Sequence, residues 1–316
     1  MSIQSPPETA PAHWNVRIGI NPISWMNDDL PSLGGDTLLE TALAEGREIG
    51  YEGFELGNKF PKEGPALQAK LAEFNLACVS GWYSGFLAVD TVEAEIARCV
   101  AHMAKLQLNG APVVVYGECG DTIQGQIDTP LAKRPRFTDP AQWAAYGERL
   151  NAFGAHLQAI YGITLAYHHH MGAYVESPDD IDRLMAVTEP RWVGLLFDTG
   201  HAWYGGATDV LALLQRHVAR VVHVHCKDVR PQVIAQARND GWSFLTGVLN
   251  GTFTVPGDGV IDYDAVLSLL HRAGYAGWLV VEAEQDPAVA PSYRYASMGY
   301  QCLRGIVERL NREAEA

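Results

Sequence analysis

The chain has 316 residues, 47% hydrophobic and 19% charged, with a formal net charge of −14. That composition supports a well-buried globular core, and the acidity, with no lysine- or arginine-rich block, makes nucleic acid or an anionic membrane a poor partner. No stretch approaches the roughly 20 apolar residues of a membrane-spanning helix. Five scattered cysteines, Cys78, Cys99, Cys119, Cys226 and Cys302, form no C-x-x-C pair and suit reduced thiols in the cytoplasm.

Residues 1–15, rich in Pro, Ser, Thr and Glu, read as a flexible tail and not as a signal peptide. From residue 16 onward short β-rich runs alternate with amphipathic segments. Val16–Asn21 is the first strand, followed by a helix near Asp36–Ile49. Gly53–Leu56 precedes a helix near Glu63–Phe74, and Leu76–Gly81 one near Thr91–Leu106. The fully apolar core of Pro112–Tyr116 marks a buried strand, and the long helix Pro140–Tyr161 stops at Gly162. Ile163–His168 leads to a helix over Pro178–Val187, with Ser177 as cap and proline at its first position. Trp192–Phe197, a helix near Thr208–Gln215 and the strand Arg220–His225 follow. Val229–Gly259 is less regular, with room for a short helix. A helix near Tyr263–Ala273, the strand Trp278–Glu282 and a helix near Pro291–Leu310 end the chain. These strand-and-helix units predict a single α/β domain over residues 16–316, a parallel (β/α)8 TIM barrel. A doubly wound open sheet would show a glycine-rich phosphate loop after its first strand, and none is present.

Side chains at the C-terminal ends of barrel strands converge on one mouth. Here the fifth to eighth strands end YHHHMG, FDTGH, VHVHCKD and VVEAE. Period-two alternation puts His168 and His170 on one face, His223 and His225 on one face, and Glu282 with Glu284. Asp198 follows a buried apolar run, where a bare carboxylate needs a partner. Any one of these is more often structural: a lone histidine is usually hydrogen-bonded, Asp198 can cap a turn, and Glu282 can pair with a lysine. Imidazoles and carboxylates at the ends of successive strands point instead to a divalent ion such as Mn, Co or Zn. His168 and His170 both remain open as the fifth-strand ligand. In the first half, Glu55 and Lys59 sit near the rim, Trp82 and Tyr83 offer a wall for a ligand, and Glu118 ends the fourth strand.

These residues resemble the xylose-isomerase-like barrels, which include sugar isomerases, ketose epimerases and endonuclease IV. The segment VPGDGVIDYDAVLSLLHRAGYAGWLVVE is similar to that group's ending, which implies Glu282 as a metal ligand. The D-x-x-H after the sixth strand implies Asp198 as ligand and His201 as a substrate-contacting histidine. The H-x-K-D after the seventh implies His225 as ligand. The fifth-strand glutamate of the family is replaced here by His168, which leaves two carboxylates and removes a residue many relatives use as a base. The longer strings GINPISWMNDDLPSLGGDTLLE, GFELGNKFP, SGWYSG, YHHHMG, FDTGHAWYGG, HCKDVR and VVEAEQDP resemble the inosose dehydratase family.

That resemblance implies loss of water from 2-keto-myo-inositol, a small polyhydroxylated cyclic ketone, to give a trihydroxycyclohexane-dione in inositol catabolism. It also implies Mn or Co, with glutathione as a further family requirement. Water loss beside a ketone needs a base, an acid and a holder for the enolate. The expected metal ligands are His168, Asp198, His225 and Glu282. His201 is the first choice for proton transfer and Glu55 the second. Lys59, Lys227 and Arg230 are expected to bind hydroxyls or the enolate oxygen. A metal-dependent epimerase or isomerase is the alternative on the same barrel, a nuclease is disfavoured by the charge, and a homo-oligomer is left open.

Overall fold

A computed structural model describes residues 13–315. The expected flexible tail therefore lies outside the described residues except for His13, Trp14 and Asn15. Trp14 is part of the packed domain, since its indole is buried and its Nε1–H donates to the Tyr275 carbonyl at 2.6 Å.

Eight parallel strands close a barrel: β1 (Arg17–Ile20), β2 (Gly53–Leu56), β3 (Ala77–Gly85), β4 (Val113–Glu118), β5 (Thr164–His168), β6 (Val193–Asp198), β7 (Val221–Cys226) and β8 (Trp278–Val281). Closure comes from β1 against β8, with Ile18 beside Leu279 and Ile20 beside Val281. Alternation divides the apolar residues between two layers. Val114, Tyr116, Leu165, Tyr167, Leu195 and Phe197 join the large core beneath the helices, whereas Val113, Val115, Ala166 and Leu196 form a separate cluster inside the barrel. The inward positions that follow at the C-terminal ends are His168 and Asp198, so the polar site stands directly on an apolar floor.

Helix signals in the sequence were accurate where caps are local. Pro140–Tyr161 begins at Asp139, whose carboxylate accepts the Ala141 and Gln142 N–H groups, and ends at Gly162 with φ 66°. Pro178–Val187 carries a complete Ser177–Asp180 capping box. The segment between β7 and β8 differs from expectation. It holds two helices, Pro231–Asp240 and Phe244–Leu249, and an antiparallel pair of short strands, Asp228–Val229 with Phe253–Thr254. Met171, Tyr204, Val229, Ile234, Phe244 and Phe253 give this cap its own apolar cluster. A short helix, Thr199–Tyr204, also follows β6 immediately.

Candidate metal centre

Asp198 is the N-cap of the helix Thr199–Tyr204: its Oδ1 accepts the His201 N–H at 2.7 Å. That bond turns Oδ2 toward the barrel axis, 3.6 Å from His168 Nε2 and 3.4 Å from His225 Nδ1. Glu282, just past β8, brings Oε2 against the same His225 Nδ1. His168, Asp198, His225 and Glu282 thus offer one ligand atom each within 4.8 Å of one another, and all four are buried. Asp198 Oδ2, His225 Nδ1 and Glu282 Oε2 crowd one another, yet none makes a well-directed hydrogen bond among the described residues. Buried orphans of this kind are costly unless an ion satisfies them.

The outer partners of the histidines are consistent with that ion. A carbonyl can only accept, so His168 donates through Nδ1–H to the His169 carbonyl at 2.7 Å and keeps Nε2 as a lone pair. His225 directs Nε2 at the Glu55 carboxylate, 3.1 Å away, and keeps Nδ1 for the cluster. Two imidazole nitrogens and two carboxylate oxygens suit a borderline divalent cation.

Two further groups, Glu55–His223–His225 and His170–His201–Glu284, are close enough to suggest metal sites. Hydrogen bonding assigns both to support. Glu55 is occupied by His223 at 2.7 Å, by His225 and by the Asn21 amide at 2.9 Å. His201 Nδ1 accepts the Met171 N–H at 3.3 Å, so in the neutral ring Nε2 carries the proton and points at Glu284 Oε1, 3.8 Å away. His170, whose ring centroid is 4.0 Å from that of His201, donates Nδ1–H to the Met171 carbonyl.

Lys227 supplies the opposing charge. Fully buried, its Nζ lies 2.8 Å from Glu284, 3.0 Å from Glu282 and 3.4 Å from Asp198. Burial opposes its charge, but Asp198, Glu282 and Glu284 outweigh it and raise its pKa. Burial likewise pushes Glu55 up, yet His225 and His223 hold it well below the usual carboxylate range. Burial also opposes ionisation of Glu282, which His225 and Lys227 bring down to about 2. Glu284 is raised to about 7 by burial and by Glu282, against the pull of Lys227.

A cavity of about 350 Å³ opens above this cluster, with His168, His170, His225, Glu282 and Glu284 on its floor and Trp82 in its wall. Trp82 is edge-on to His168 and His170, and its Nε1–H donates to Ser84 at 2.9 Å. Tyr83 does not share the wall. The pleat turns it outward, where it packs on Phe153 and its hydroxyl meets Glu95. Lys59 also misses the cavity, because its ammonium is held by the Gly35 and Thr37 carbonyls at 2.7 and 2.6 Å. Arg230 ties the cap together through Asp258 at 2.7 Å and the Gly251 and Phe253 carbonyls. His201 and Lys227 lie behind the lining, and Glu55 is in it.

Sequence reasoning left out several lining groups. Asp28, Asp29 and Gln124 reach the cavity from irregular loops, which carry no periodic signal. Glu284 and His170 were detectable, since alternation already paired them with Glu282 and His168.

A closed eight-stranded parallel barrel with its polar cluster at the strand C-termini defines a (β/α)8 enzyme-type architecture. The chain belongs to the xylose isomerase-like TIM barrel family, whose model matches residues 43–304. It is 46% identical to the rhizopine catabolism protein MocC of Rhizobium meliloti, over 96% of this chain and 92% of that one. It is 44% identical to the inosose dehydratase of Geobacillus thermodenitrificans, over 92% and 96% of the two chains. Among solved structures, the IOLI protein with a bound zinc atom superposes with TM-score 0.63 at 16% identity, covering 95% of this chain and 99% of that one. At that identity the likeness speaks for the fold alone.

Proposed function

We propose that this protein is a metal-dependent hydro-lyase that removes water from 2-keto-myo-inositol to give a trihydroxycyclohexane-1,2-dione. The observation that carries the reading is the convergence of His168, Asp198, His225 and Glu282 ligand atoms below an open cavity, in a chain 44% identical to an inosose dehydratase. His168, Asp198, His225 and Glu282 would hold Mn or Co. That ion, when bound, supplies Lewis acidity for a carbonyl and its neighbouring hydroxyl.

The chain's own residues divide the remaining work. The proton α to the carbonyl must leave, the β-hydroxyl must depart as water, and the resulting enol then becomes the second ketone. Glu284 is the carboxylate best placed for proton transfer, since it faces the cavity with Lys227 and His201 behind it. His201 therefore acts through Glu284, and Glu55 acts by orienting His225. Trp82 presents a flat apolar wall to the ring, and Asp29 and Gln124 offer hydroxyl-binding groups. The cysteines are free, consistent with a cytoplasmic setting.

The test is to strip metal, restore Mn or Co, and follow dione formation from 2-keto-myo-inositol, with and without glutathione. Metal-dependent dione is the expected result, and the glutathione arm decides whether the thiol is needed. Epimerised or isomerised ketone without dione would overturn the dehydratase reading.

A further inference from the structure

The mouth cavity continues past the metal cluster. On the far side it reaches Lys62, in the loop after β2, and His102 and Lys105 on the helix Val92–Leu108. His102 and Lys105 are three positions apart and so share a helix face. The strand beneath them has glycine at Gly81, where a Cβ would come 3.4 Å from the His102 ring. Nothing is therefore interposed between that ring and β3.

Neither Lys62 nor Lys105 makes the carboxylate ion pairs seen at Lys70 and Lys227. Lys70 pairs with Glu40 and Glu73, and Lys227 with Glu282 and Glu284. Lys62 Nζ donates to the Asn58 carbonyl at 2.8 Å. The Lys105 ammonium makes no hydrogen bond or ion pair among the described residues, and His102 Nε2 is buried without a partner. Asp28 stands beside Lys62 and offsets part of its charge, while its Oδ2 accepts the Asn58 N–H at 2.9 Å; Lys105 has no such carboxylate neighbour among the described residues. Burial lowers the pKa of Lys105, and Lys62 adds to the effect. Burial, Lys105 and Lys62 also bring His102 down to about 4, against a backbone bond to Gly81. Lys62 and Lys105 repel one another across the recess, and an anion between them would relieve that repulsion.

We propose that this recess is an oxyanion subsite, taking a carboxylate or phosphate-type group between Lys62 and Lys105 with His102 as third partner, in the same cavity as the His168–Asp198–His225–Glu282 cluster. On the proposed function the substrate is a neutral cyclic ketone, so the anion is a separate small oxyanion that binds alongside it.

Inorganic phosphate is the probe, titrated calorimetrically into Mn-loaded protein and its Lys62→Gln and Lys105→Gln variants. Saturable binding that each substitution weakens at least tenfold, with Mn affinity and thermal midpoint unchanged, is the expected result. Absence of saturable binding, or equal binding in Lys105→Gln, would overturn the proposal, because phosphate would then sit on the metal or nowhere specific. Titrating 2-keto-myo-inositol at saturating phosphate then shows whether the recess is separate from the ketone's place. Simultaneous binding is the expected result for a subsite beside the ketone, and mutual exclusion would overturn the proposal by placing phosphate where the ketone binds.

Discussion

At the scale of single residues, the site depends on which atom of each side chain is left free. Asp198 uses one oxygen to cap a helix and the other for the cluster. Glu282→Ala and Asp198→Ala should therefore lose bound metal and turnover together, by more than a hundredfold in turnover, as read by metal analysis and dione assay. His201→Ala should keep its metal and lose turnover, since His201 Nε2–H points at Glu284 and not at the ligand atoms; normal turnover would remove it from the mechanism. Gly117 has a comparable indirect role. A Cβ there would lie 2.0 Å from the Trp82 ring, so Gly117→Ala should drive the indole into the cavity. The expected signature is a rise in KM of tenfold or more with a smaller change in kcat. Among these residues His168, Asp198, His225 and Glu282 were recognisable as strand-end groups. The outward turn of Tyr83 and the tying of Lys59 to a neighbouring loop were not, because both depend on partners distant in sequence.

At the scale of elements, the cap between β7 and β8 positions the inner histidines. Phe244 lies 4.8 Å from the His170 ring and stacks on His201 at 5.7 Å, and Phe253 lies 5.2 Å from His201. These contacts, and not the barrel strands alone, hold the His201 ring with Nε2 toward Glu284. Phe244→Ala should cost about 3 kcal/mol of stability and reduce kcat while metal content is retained. Phe244→Leu, which preserves much of the volume, should restore stability in urea unfolding but not full kcat. The segment looks irregular in sequence for a physical reason. Its two helices and short strand pair are stabilised by long-range packing on Met171 and Tyr204, and no local cap or period announces that.

Across the whole molecule, charge and stability are linked through buried acids. Glu118, enclosed by Tyr116, Tyr146 and the Ala88 and Gly120 N–H groups, is pushed up to about 7 by burial, which exceeds the pull of those donors. The folded protein then binds more protons than the unfolded chain between pH 4.5 and about 7, so stability falls as pH rises through that window. The loss from Glu118 should approach about 3 kcal/mol, and Glu118→Gln should reduce the slope in urea unfolding followed against pH, leaving the part that comes from Glu284.

The eight-unit architecture follows from local physics: alternation of apolar strands with amphipathic helices, proline and glycine at the element ends, and caps such as Ser177 and Asp139. Strand alternation and the barrel rule then bring His168, Asp198, His225 and Glu282 to one mouth. The tertiary structure alone decided which atoms remain free, because tautomer and orientation are set by partners as distant as Glu55 is from His225. It also decided which rim residues face the cavity and that Lys62, His102 and Lys105 meet in one recess. Side-chain direction in loops and across helix–strand contacts depends on packing, and packing is not periodic in sequence.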